Sequence, residues 1–157
     1  MKQNHLRSLE IIGYSGGGSI AALISDKRND VLRFVTVAAN LDIDEWAKYL
    51  NVSPLWGSMN PVINSLRSRF IQQVHLSGSN DTIVPTAVLK NYLIKTEITN
   101  PRSLILLDGY THSCCWHKGW KDMIIKIRSK ILSEMQNNVS GFVIDNGSTR
   151  GTNLGEK

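Results

Sequence analysis

The sequence predicts an α/β domain: a parallel sheet of about four strands joined by crossover helices. Three observations predict it. Short apolar or β-branched runs alternate with helix-like segments along the 157 residues, an order that pairs strands in parallel through helical connections. A glycine-rich turn, Gly13-Tyr14-Ser15-Gly16-Gly17-Gly18, joins the first run directly to a helix of small and aliphatic residues. Nucleophilic and titratable residues fall just after three of the runs, at the sheet edge where parallel sheets collect ligands.

Leu9-Glu10-Ile11-Ile12 reads as a short buried strand, and Ile20-Ala21-Ala22-Leu23 lies in the helix after the turn. A polar connector, Ser25-Asp26-Lys27-Arg28-Asn29-Asp30, leads to a second strand from Leu32 to Ala39, marked by β-branched and aromatic content. Asp42 with Glu45 three residues on resembles a capping box ahead of a short helix. From Asn51 to Pro61 two prolines, Trp56, Gly57 and Met59 indicate an irregular excursion over the sheet edge. Its large apolar residues suit either the core or a pocket wall, and packing is the default expectation for each. A third strand from Ile71 to Gly78, a helix from Thr86 to Lys95 and a fourth strand from Ser103 to Leu107 come next. From Trp116 onward Trp120, Met123, Ile124, Ile127 and Ile131 recur at helical spacing, opposite Lys121, Arg128 and Lys130. This is a core-packing helix with a basic outer face. The domain is expected to span residues 1–136, with residues 137–157, rich in Asn, Ser, Gly and Thr, as a disordered tail.

Composition narrows the function classes. The net charge of +5 is dispersed apart from Lys118, Lys121, Lys126, Arg128 and Lys130, which speaks against a nucleic-acid footprint. No apolar run reaches the length of a membrane span, and Met1-Lys2-Gln3-Asn4-His5 lacks the apolar core of a signal peptide. A cytoplasmic location is the resulting expectation. The two cysteines, Cys114 and Cys115, are adjacent and form no zinc-ligand pattern. Two free thiols, packed as small buried residues at a helix start, are the default, and neither a metal nor a cofactor is expected.

The chemistry concentrates in three places. Gly13, Ser15 and Gly17 fill a G-x-S-x-G pattern between strand and helix, a turn so sharp that its serine is strained and exposed. Glycine at 13 and at 17 is expected to relieve collisions across that turn. A phosphate-binding loop would end in Gly-Lys-Ser or Gly-Lys-Thr, whereas Gly17-Gly18-Ser19 supplies no lysine. Asp81 follows the third strand and His112 follows the fourth. Ser, Asp and His, the residue types of acyl transfer, thus emerge in that order on one sheet edge. Asp108 is a substitute for the acid. His75, inside a strand, and His117, inside the last helix, read as structural or solvated, and His5 lies in a frayed end.

These residues resemble the α/β-hydrolase family. More narrowly, Gly13-Tyr14-Ser15-Gly16-Gly17-Gly18, the loop from Ser77 to Pro85 and His112-Ser113-Cys114-Cys115-Trp116 are similar to a group of bacterial serine hydrolases. The resemblance covers roughly Leu9 to Leu132. It implies Ser15 as nucleophile, His112 as general base and then acid, Asp81 as the residue that orients the imidazole, and the Gly16 N–H as one oxyanion donor. It further implies that the chain corresponds to the carboxyl-terminal half of such an enzyme, a truncated α/β-hydrolase fold without the loop that gives the second oxyanion donor. The stretch from Leu9 to Gly13 would then be an exposed edge, open to self-association or to pairing with an N-terminal half. The expected activity is hydrolysis of a small-molecule ester, in weakened form. The alternatives are a non-catalytic remnant or binding module, and a basic amphipathic segment at a membrane surface or on an acidic partner.

Overall fold

The computed structural model describes residues 8–97 and 104–140. Four parallel strands pair in the order β1-β2-β3-β4: Leu9–Tyr14, Val31–Val37, Gln72–Gly78 and Leu104–Leu107. Between them run α1 (Gly16–Lys27), α2 (Ile43–Tyr49) with a 3₁₀ turn at Ser68–Phe70, and α3 (Thr86–Lys95); α4 (Trp120–Ser140) follows β4. His5, most of the expected tail and residues 98–103 lie outside the described residues. α4 itself runs through Ser140, past the domain boundary expected at 136.

The β-branched and aromatic residues of β2 and β3 form central strands because both of their faces are covered. Phe34 points with Ala22 of α1 and Leu89 and Tyr92 of α3 to one side. Val35, Val37, Val74 and Leu76 point to the other, against Met123, Ile127 and Ile131 of α4. The helical spacing of those three α4 residues is the expected core stripe, while Lys121, Lys126 and Arg128 are exposed.

β1 is not the buried strand its apolar run reads as but the sheet edge that the resemblance implies, and among the described residues α1 covers one of its faces. Ile11 packs into the core of α1 and α3, whereas Ile12 and Tyr14 are 47% and 45% exposed on the face that α4 leaves bare.

Two buried polar groups tie elements of the fold together. Asp42 caps α2 by accepting the Glu45 N–H at 3.2 Å, and its other oxygen takes Asn91 Nδ2 at 2.9 Å and Lys95 Nζ at 2.8 Å from α3. Inside the sheet His75 is fully buried between Thr36 Oγ1 (2.8 Å) and Gln73 Oε1 (3.0 Å). Burial drives its pKa down to about 3, so it is a neutral core group.

Candidate active site

Ser15 stands alone between β1 and α1, with φ 51°. A non-glycine residue in that region costs roughly 1–2 kcal/mol, and packing must hold it there. The Ser15 N–H donates to Val37 of β2 at 2.8 Å, and its carbonyl accepts the Gly18 N–H at 2.9 Å. A Cβ on Gly13 would lie 2.2 Å from the Gly17 carbonyl oxygen, so the turn closes only with glycine at 13. Gly17 corrects the expectation: a Cβ there would meet nothing within 4 Å, and it is the Gly17 backbone that crowds Gly13. The second tight position is Gly18, whose Cβ would lie 2.4 Å from the Ala39 Cβ. Ser15 makes no side-chain cap to α1. Its Oγ lies 3.0 Å from His112 Nε2 instead.

Asp81 is held by its own turn. Its Oδ1 accepts the Ile83 and Val84 N–H groups at 2.9 and 2.8 Å, the local pattern Asp favours after a strand. That leaves Oδ2 to accept from His112 Nδ1 at 3.0 Å. The carboxylate side chain is wholly buried, and these three bonds offset the cost of removing it from water. The loops of Asp81 and His112 touch closely: Asn80 N–H donates to the Tyr110 carbonyl at 2.9 Å. A Cβ on Gly78 would lie 2.3 Å from that same oxygen.

His112 bridges the two. A carboxylate can only accept, so Nδ1 carries the proton toward Asp81 and Nε2 is the acceptor facing the Ser15 hydroxyl. The His112 backbone carbonyl is fixed from both sides, by the Tyr14 hydroxyl and by Trp116 Nε1 at 2.8 Å. The Tyr14 ring packs on the imidazole with centroids 5.5 Å apart. Partial burial, and then the negative charge of Asp81, hold the Tyr14 phenol above its ordinary pKa, so it remains a donor. Beside it an apolar hollow of about 430 Å³ is lined by Ile12, Tyr14, Val37, Trp116, His117 and Trp120.

A serine hydroxyl, an imidazole and a buried carboxylate in one hydrogen-bonded line can pass a proton from Ser15 to His112 with the imidazolium stabilised by Asp81. Gly16 opens α1, so its N–H is among the donors that helix geometry leaves unpaired.

No family model and no curated protein matches the sequence. Solved structures do. An esterase of Pyrococcus furiosus superposes with TM-score 0.59 at 15% identity, over 84% of this chain and 56% of that one. A truncated carbohydrate esterase from gut microbiota gives 0.54 at 17% identity, over 78% and 59%. A puromycin-hydrolyzing peptidase of Mycobacterium tuberculosis gives 0.51 at 18% identity, over 67% and 19%. The chain has an α/β-hydrolase fold. It spans just over half the length of the first two structures.

Within this hydrolase fold the other candidates separate. Asp108 is exposed and accepts from Ser79 Oγ at 3.1 Å, with its carboxylate not bonded to His112. His75 is buried in the sheet, as above. His117 sits in the turn before α4 and not within the helix, because the helix starts at Trp120. The cysteines depart from the free, buried thiols expected. Cys114 is exposed and is joined to Cys115 by a disulfide; the left-handed backbone of Cys115, φ 83°, shapes the turn in which the neighbours meet.

In the excursion from Asn51 to Pro61 the large apolar residues wall a hollow instead of packing in the core. Trp56 is 89% exposed, and with Val52, Leu55, Met59 and Ile63 it lines an open hollow of about 740 Å³ beside α2. Asn60, buried under it, holds the Ile43 N–H and Asp44. Tyr14 and Trp116 are the site residues that sequence reasoning missed. Both lay inside the motifs, but nothing in a sequence shows that an aromatic hydroxyl will meet a carbonyl 98 positions away.

Proposed function

We propose that the protein is a serine hydrolase of carboxylic esters, with Ser15 as nucleophile, His112 as general base and acid, and Asp81 as the orienting carboxylate. The observation that carries this reading is the continuous line Ser15 Oγ–His112 Nε2 and His112 Nδ1–Asp81 Oδ2, 3.0 Å at each step. The strained φ of Ser15 and the esterase fold neighbours support it.

In this reading His112 Nε2 takes the Ser15 proton as Oγ adds to the ester carbonyl. The Gly16 N–H donates to the oxygen that becomes negative. Collapse of the tetrahedral intermediate expels the alcohol, which receives the proton from His112. Water activated by the same imidazole then releases the acid and restores Ser15. Throughout, Asp81 keeps the Nδ1 proton in place and stabilises the transient imidazolium. A second oxyanion donor in this fold comes from a loop of the preceding strand–helix unit. Among the described residues the Gly16 N–H at the start of α1 is the donor placed for this role, and loss of one oxyanion donor costs about 10²–10³ in turnover.

The test is hydrolysis of p-nitrophenyl esters together with labelling by a fluorophosphonate probe. Ser15→Ala should abolish both. Asp81→Asn should leave the fold intact and lower turnover by up to about 10⁴ by presenting the wrong histidine tautomer. Undiminished labelling of Ser15→Ala would overturn the assignment. A well-folded wild-type chain that never labels, even with its β1 edge covered, would favour a non-catalytic binding module.

A further inference from the structure

We propose that the Cys114–Cys115 disulfide is a thiol-controlled positioning element for His112, so that reduction lowers the reactivity of Ser15. The inference rests on the hydrolase reading above.

The disulfide lies two residues beyond His112, in the turn that holds the imidazole. That turn is held by a short hydrogen-bond network and by Trp116, which is buried in the core beside Tyr110. The Cys114 N–H donates to Thr111 Oγ1 at 3.1 Å. The Trp116 indole N–H reaches back to the carbonyls of Thr111 (3.0 Å) and His112 (2.8 Å). The Cys115 carbonyl accepts the Gly119 N–H at 3.0 Å, which joins the turn to the start of α4. Between the two ends of this network sits Cys115 in a left-handed backbone, φ 83°. A residue with a Cβ stays there only when its surroundings hold it. The covalent link to Cys114 and the Gly119 bond to its carbonyl act directly on that residue, and opening the link leaves the single hydrogen bond to hold Cys115 against an ordinary backbone conformation. Trp116 follows Cys115 directly, and its indole then swings off the His112 carbonyl. Of the two side-chain anchors on that carbonyl, only the Tyr14 hydroxyl remains.

Access suits exchange. Cys114 and its neighbour Ser113 are exposed, so a thiolate can reach the bond. The reductant is a dithiol, or two equivalents of a monothiol. Its thiolate attacks one sulfur, the Cys114–Cys115 bond breaks, and a mixed disulfide forms. The second thiol resolves it, so that two electrons pass to the protein, each cysteine ends with one proton, and the reductant leaves as its disulfide. Exposed disulfides are more readily reduced than buried ones.

The experiment compares fluorophosphonate labelling rates of the full chain after oxidation and after reduction by dithiothreitol, with thiol counting to verify each state. The Cys114→Ser/Cys115→Ser double variant serves as the redox-blind control. Reduction should slow labelling by about tenfold to 10²-fold, the penalty of displacing a catalytic group by about 1 Å. Reoxidation should restore it, and the double variant should sit at the slow rate in both conditions. In parallel, the Trp116 indole N–H and His112 ring resonances should shift on reduction while the far-ultraviolet circular dichroism stays constant. Equal labelling rates with both thiols shown to be free would overturn the proposal. So would loss of circular dichroism on reduction, which would make the disulfide a general staple. If neither state labels, the hydrolase reading fails separately. The resonances then decide, supporting the coupling if they move and overturning it if they do not.

Discussion

The Tyr14 hydroxyl donates a hydrogen bond to the backbone carbonyl of His112, tying the last residue of the edge strand to the loop that carries the imidazole. Tyr14 immediately precedes Ser15, so one residue couples the positions of the Ser15 hydroxyl and the His112 imidazole. Its phenol, with its pKa raised by partial burial and by Asp81, stays protonated through neutral and mildly alkaline pH.

Tyr14→Phe removes that bond and keeps the ring that packs on His112. One net hydrogen bond is worth about 0.5–1.5 kcal/mol, so kcat should fall about two- to tenfold with KM little changed. Steady-state kinetics on a soluble ester check this. An unchanged kcat would leave the Trp116 bond as a sufficient anchor.

The two glycines that flank Ser15 at positions 13 and 17 should differ sharply. Gly13→Ala places a Cβ 2.2 Å from the Gly17 oxygen, a clash with backbone that cannot be relieved by a rotamer. A loss of roughly 3 kcal/mol or more is expected, beyond the ordinary range of overpacking. Gly17→Ala enters open space in the first turn of α1. It should be neutral or stabilise by up to about 1 kcal/mol, as alanine favours the helix. Urea unfolding of the two variants checks the contrast.

His75 sets an acid limit on stability. Its folded pKa is about 3, below the ordinary value of 6.5. Between those values the unfolded chain binds a proton that the folded one refuses, so stability rises with pH across the window. The contribution is complete above pH 6.5 and is lost as pH falls toward 3, at up to about 1.4 kcal/mol per pH unit. From about pH 7 to about pH 5 the loss should be about 2 kcal/mol. His75→Gln, which removes the titrating group, should flatten that slope in urea melts.

The bare edge of β1 is the remaining consequence. Ile12 is 47% exposed beside the half-exposed Tyr14, and the outer rim of a parallel edge strand invites pairing. The chain by itself should self-associate, and Ile12→Lys should shift it toward monomer by size-exclusion chromatography with light scattering. Supplying a strand–helix segment that covers this edge should raise turnover and abolish self-association together. A wild-type monomer with full esterase turnover would refute the expectation.

The four parallel strands with helices between them, and the placing of Ser15, Asp81 and His112 beyond strand ends, were legible in the sequence because each is written locally, whereas the order of the strands across the sheet was not. Apolar, β-branched runs make β2 and β3, a stripe of Met123, Ile127 and Ile131 makes α4, and the short glycine turn strains Ser15. Asp81 and His112 could be placed because parallel strands deliver the loops at their carboxyl ends to a common edge. Contacts made through space were decided only by the tertiary structure. Gly13 is indispensable and Gly17 is not, since the crowding comes from the backbone across the turn. Asp108 bonds to Ser79 while Asp81 bonds to His112, although both acids follow strands. Trp56 stands in solvent and Tyr92 is buried, although both are large aromatics. The two cysteines join where the chain turns left-handed at Cys115, a geometry that their adjacency in sequence does not announce. Periodicity and spacing record which way a residue faces along its own element, and they carry no record of which distant group it will meet.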